Sequence, residues 1–250
     1  MIAAVRVEAL KLVRSLVGMI AALALVLGTV ALLSGITFGV AGGNPELIAQ
    51  VGPAAELNWD GLLTGAAQIT AIACILGFGI VLAWMFGREF TDGTITGLFA
   101  LPVGRSRIAL AKLIVYTVWA FVVGTAMALG VLLLGVLFGY GAPSTHAWAG
   151  LGRLWALAMF SAGVAIPIAW IATWTRSLLG GVAGTVALVV ITQIGALTGV
   201  GAWMPPAAPA IWAMSHGTRA TALHLALTGS VAVVFGALTC WTWKRLQLDR

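Results

Sequence analysis

Six long apolar runs, at residues 18–40, 62–86, 110–138, 154–173, 178–200 and 222–243, leave this chain little choice of fold. Each is long enough to cross a bilayer as a helix, which takes about 20 residues. Apart from Lys112, the third residue of the third run, no Asp, Glu, Lys or Arg lies in any of them. Charged residues make up only 8% of the 250, against about a quarter in a soluble domain. The mean hydropathy of +1.08 says the same. The expectation is an all-α membrane protein, a single transmembrane domain over residues 1–250 with six transmembrane helices.

Ahead of the first run, Val5, Ala9, Leu12 and Val13 share one helical face, while Arg6, Glu8, Lys11 and Arg14 lie elsewhere. That pattern predicts a short amphipathic interfacial helix with its charges toward water or headgroups. The distribution of basic residues then orients the chain. Arg6, Lys11, Arg14, Arg88, Arg105, Arg107, Lys112, Arg176, Lys244, Arg245 and Arg250 fall on one side, and Arg153 and Arg219 on the other, eleven and two of the thirteen. This places both termini in the cytoplasm of a cell-membrane protein. The acidic stretch 41–61, rich in Gly, Pro and Asn, becomes an outside loop. Between residues 201 and 219, Pro205, Pro206 and Pro209 break up an apolar segment that cannot cross as one helix, so short outside helices dipping into the leaflet are expected there. Pro167 should kink the fourth span.

The uncharged interiors also exclude functions. Ion-driven transporters keep ionisable groups at mid-membrane, and intramembrane hydrolases need converging acids, histidines or metal ligands. No catalytic or metal-ligating set stands out. Cys74 and Cys240 read as buried thiols, and His216 and His224 as structural histidines. The net charge of +6 is accounted for by orientation and anionic lipid, so no nucleic-acid partner is inferred. Gln68 and Gln193 are the most polar residues inside the spans, candidates to line a pathway or to form interhelical hydrogen bonds. No G-x-x-x-x-G-K-[ST] sequence occurs, so if ATP drives this protein another subunit binds it.

Charge concentrates in the middle of the chain between Arg88 and Lys112. Ile95, Leu98 and Phe99 fall on one face of a short helix, with Gly93 as the turn before it, Thr94 as its cap and Pro102 as its end. Arg105, Ser106 and Arg107 open the third span, Ser106 as its cap, and Lys112 reaches the headgroups. Physics alone leaves two readings open, an ordinary positive loop or a docking element.

The run Glu89, Gly93-Thr94, Leu98, Leu101-Pro102, Arg105, Arg107 and Lys112 resembles the segment between the second and third spans of ABC-2 type permeases. The N-terminal E-A-L-K-L-V-R-S resembles the branch that includes lantibiotic and bacitracin immunity permeases. The resemblance implies a cytoplasmic coupling helix at 94–101 seated on a separate ABC ATP-binding subunit, with Arg88 and Glu89 transmitting its motion. It implies that ATP and Mg are bound by that partner and none in this chain. It also implies a second permease copy, identical or related, and export of an amphipathic drug, peptide or lipid-like molecule, with antibiotic resistance as one outcome. An intramembrane enzyme and an assembly scaffold without an ATPase are the competing expectations.

Overall fold

The computed structural model describes residues 1–99, 103–198 and 201–247. It is 84% helical, and no strand occurs among the described residues. The helices are α1 (Ile2–Val13), α2 (Leu16–Ala41), α3 (Pro45–Val51), α4 (Trp59–Thr91), α5 (Ile95–Phe99), α6 (Arg105–Leu137), α7 (Thr145–Ala165), α8 (Pro167–Trp174), α9 (Leu178–Leu197), α10 (Ala208–Met214) and α11 (Ala222–Arg245). Six segments are long and apolar enough to cross a membrane: α2, α4, α6, α7 with α8, α9 and α11.

The helix starts follow from local side-chain chemistry. The first amides of a helix have no intrahelical acceptor, and a short polar side chain just before them supplies one. Ser15 accepts from Gly18 N at 2.9 Å, Asn58 from Gly61 N at 2.9 Å, Ser144 from Ala147 N at 3.2 Å and Ser177 from Gly180 N at 3.3 Å. At α11, Thr221 and His224 form a reciprocal capping box. Pro167 divides the fourth span into α7 and α8, because its nitrogen has no hydrogen to donate to the preceding turn. The stretch 41–61 is more ordered than the loop its composition suggests. Asn44 accepts from Glu46 N and Leu47 N, Pro45 presets the first turn, and α3 forms.

The core is built around α4, the most buried of the spans. Phe78 and Phe86 of α4 are fully buried; Phe78 meets Tyr116 of α6 edge-on at 6.3 Å, and Phe86 meets Trp243 of α11 at 5.9 Å. Both polar tips are satisfied, since Tyr116 Oη donates to Ala162 O at 2.8 Å and Trp243 Nε1 to Thr173 Oγ1 at 3.0 Å. Against α9, α4 packs antiparallel through glycine. A methyl added at Gly87 would lie 2.6 Å from Leu178 Cα, one at Gly181 2.7 Å from Ala83 Cβ, and one at Gly79 2.4 Å from Thr185 Cγ2. Small residues let these backbones approach where larger ones would hold them apart.

The C-terminal ends of α4 and α11, the start of α6, the α8–α9 turn and α1 meet at one end of the bundle. Arg105 donates to Leu246 O there, and Arg176 Nη2 donates to Gln247 O at 3.0 Å. Of the twelve described basic residues all but Arg153 and Arg219 lie here, and it is called the basic end. The opposite end carries α3 and α10. Ala210 and Ala213 of α10 pack on Ala67 and Ala71 of α4 and on Leu157 of α7.

Replacing Gly87 with Ala should lower stability in detergent by about 1–3 kcal/mol, because its neighbour is backbone and cannot swing away. Gly28→Ala, with nothing within 4 Å of the added methyl, should leave the thermal melting temperature unchanged.

Candidate functional site: a buried ion cluster beneath the central loop

Lys112 lies in the second turn of α6 and is 1% exposed. A buried ammonium persists only where opposite charge and hydrogen bonds replace its water. Two carboxylates reach it, Glu8 Oε2 at 2.8 Å from α1 and Glu89 Oε1 at 2.7 Å from α4. Lys11, one turn along from Glu8, closes the set with Glu8 Oε1 and Glu89 Oε1, each at 3.0 Å. Two acids and two lysines from three helices thus make a neutral cluster. Burial alone would lower the Lys11 ammonium, but Glu8 and Glu89 beside it hold it above its ordinary value.

The cluster extends into the central loop. Thr94 Oγ1 donates to Glu89 Oε2 at 3.3 Å and to Glu89 O at 3.5 Å, joining the residue before α5 to the carboxylate that holds Lys112. Gly93, at φ +67°, makes the turn between α4 and α5. Ile95 is buried against the core cluster that contains Leu12 and Trp243, and Leu98 packs partly against the same cluster. A cleft of about 310 Å³ opens beside this joint, bordered by Glu8, Lys11, Arg88, Asp92, Leu98 and Lys112. Arg88 stands at its rim, bonded to Asp92 Oδ2 at 2.6 Å and lying 5.1 Å from the Trp84 ring centre.

A family model described as ABC-2 family transporter protein matches residues 4–194, from α1 into the last turn of α9. The chain belongs to the ABC-2 transporter family. It is therefore the membrane-spanning permease subunit of an ABC transporter, a multi-pass membrane protein whose family implies an ATP-binding partner. No curated protein matches the chain.

Within the permease, the residues expected to couple to a partner occupy different environments. Glu89 is buried, 6% exposed, while Arg88 and Arg107 are exposed. Arg105 turns toward the end of α11. Thr94 bonds back to Glu89 with its hydroxyl, and among the described residues that hydroxyl does not cap α5. Gly104 is the N-cap of α6 with no side-chain cap bond, so Ser106 lies inside the helix. Pro102 and the Phe99 side chain fall outside the described residues. Lys112 does not extend to the headgroups, and Glu8 does not face water; each is turned inward by the other. Their pairing was missed because Glu8 and Lys112 stand 104 residues apart, and periodicity carries no information across that distance. The usable signal was chemical, an acid in the amphipathic helix and one lysine set just inside an apolar run.

Gln68 of α4 is partly exposed, and Gln193 of α9 is exposed one turn from the helix end opposite the basic end. The glycine register of α4 on α9 puts the two amides within about one turn of each other in depth. Neither has a hydrogen-bond partner among the described residues.

Lys112→Met should destabilise the permease by about 3–5 kcal/mol, since it strands two carboxylates beside one half-exposed lysine. Adding Glu8→Gln should recover part of that loss, a coupling that a double-mutant thermal unfolding cycle measures directly.

Proposed function

We propose that this permease works in an ATP-driven exporter, with α5 as the coupling helix on which a separate ABC ATP-binding subunit seats. The observation that carries the reading is the Thr94–Glu89–Lys112–Glu8 chain of bonds. A push on α5 reaches α4, α6 and α1 together through side chains that cannot be separated cheaply. Ile95 anchors α5 to the bundle, the partly buried Leu98 supplies the apolar contact, and Arg88, Arg105 and Arg107 ring it with positive charge. ATP and Mg belong to the partner subunit. The excess of basic residues at the end bearing α5 supports a cytoplasmic location for it and for both termini, in the cell membrane.

A second permease copy is part of this proposal. On α9, Leu179, Ala183, Val186, Val190, Gln193 and Leu197 are all exposed, at alternating steps of four and three residues. Such a stripe is the seam of a helix pair, and an amide on it finds in its symmetry mate both a donor and an acceptor. Gln68 lies at nearly the same depth on α4, and these two amides are the proposed polar lining of a pathway. A mostly apolar lining with few polar groups suits an amphipathic cargo such as a drug, an antimicrobial peptide or a lipid-like molecule, moved outward.

The docking assignment is tested by Leu98→Asp. The variant should fold and insert normally yet lose co-purification with the ATP-binding subunit, at least tenfold at about 1.4 kcal/mol per factor of ten. Retained association and transport would overturn it. Gln193→Cys should cross-link two permeases under mild oxidation in membranes, whereas Leu133→Cys, on an exposed face of α6, should not.

A further inference from the structure

The ion cluster occupies one side of α1. On the other side, α1 and α6 enclose a groove of about 270 Å³ in which every lining residue is apolar. Val5, Ala9 and Val13 form one wall, and Ile114, Val118 and Val122 the other. Val13 is 75% exposed, and Val118 and Val122 are each 60% exposed, so the groove opens sideways from the bundle rather than into its core. It lies at the level of the membrane leaflet next to the basic end, because α6 enters its apolar stretch directly after Lys112.

Two arginines stand on the stripes that form this groove. Arg6 follows Ile2 and precedes Ala9 and Val13 at steps of four, three and four residues, so it shares their face of α1. Arg107 stands seven residues before Ile114 and eleven before Val118, on the same face of α6, about 10 Å nearer the basic end than Ile114. Both are exposed, and neither has an ion-pair or hydrogen-bond partner among the described residues. Lys11 and Lys112 are engaged in the cluster and Arg105 at the end of α11, while Arg14, exposed at the end of α1, adds a further cation beside the groove. An apolar trough leading to two uncommitted guanidinium groups at headgroup depth matches one kind of molecule. Its tail is aliphatic and its head carries a phosphate, which guanidinium binds in bidentate fashion.

We propose that the α1–α6 groove is a binding site for an anionic phospholipid of the leaflet at the basic end. One acyl chain lies along Ala9, Val13, Ile114 and Val118, and the headgroup phosphate lies between Arg6 and Arg107. The lipid would brace α1 against α6 from the side opposite the ion cluster, and so help to hold Glu8 on Lys112.

The test uses the full chain, reconstituted in vesicles of equal phosphatidylglycerol and phosphatidylcholine, extracted into mild detergent and examined by native mass spectrometry. The expected result is one retained phosphatidylglycerol per chain. Val118→Trp fills the groove from its lipid-facing wall without touching the buried core, and should abolish retention of both lipids; Val122→Trp is the second variant should the first fail to fold. Arg6→Gln with Arg107→Gln should leave a lipid in place but erase the preference for phosphatidylglycerol, by about fivefold per arginine. Three results would overturn the proposal: no retained lipid in the unaltered chain, equal retention in a folded tryptophan variant, or a phosphatidylglycerol preference unmoved by loss of both arginines.

Discussion

The Lys112 ammonium is the constraint from which the basic end of this permease is built. An unpaired cation at that depth would be expelled, neutralised or would pull its helix toward water. It is kept by two carboxylates, and neither is local. Glu89 requires α4 to continue past the last apolar residue of its span, and Glu8 requires α1 to fold back against α6. Lys11 then offsets the second acid, so the set closes at zero net charge. None of these charges adds stability cheaply; their value lies in geometry, since each fixes a helix by a bond of defined direction.

The rest of the bundle is held by a different kind of contact. Along α4 and α9 the joining elements are Gly79, Gly87 and Gly181, which hold by closeness and dispersion rather than by charge. At the basic end the helices are bonded together through ions. Toward the other end, Gln68 and Gln193 lie at similar depth on α4 and α9, neither with a hydrogen-bond partner among the described residues. A permease arranged this way is tied by ions beneath α5, and the proposed second copy would meet it on the face of α9 that bears Gln193.

Much of this was legible in the residues. Six apolar runs became six spanning helices, because in a bilayer an uncharged run of that length has no other way to satisfy its backbone. Ser15, Asn58 and Ser177 sit just before three of those runs, whereas Ser144 starts its helix ten residues ahead of the run at 154. The ABC-2 resemblance, carried by Glu89, Gly93-Thr94 and Leu98, agrees with the family that residues 4–194 match. Other features were hidden. The helix α3 was obscured by a Gly- and Pro-rich surrounding, although Asn44-Pro45-Glu46 is a start signal. Glu8, Lys11 and Lys112 looked like ordinary interfacial charges because only tertiary structure decides which face of α1 meets α6. Thr94 looked like a cap, yet its hydroxyl found a carboxylate on the preceding helix.

The separations within the ion cluster also set an order of assembly. Glu8 is synthesised first, but Glu89 follows Lys11 by 78 residues and Lys112 follows Glu8 by 104. Until the second span delivers Glu89, Glu8 has only Lys11 for company; Glu89 then gives α1 its first distant bond, through Lys11. Its berth is complete only once the third span has arrived with Lys112. The earliest helix of the nascent chain is thus fully fastened only when the third of six spans is in place, which makes its docking a natural checkpoint for correct insertion of the first three.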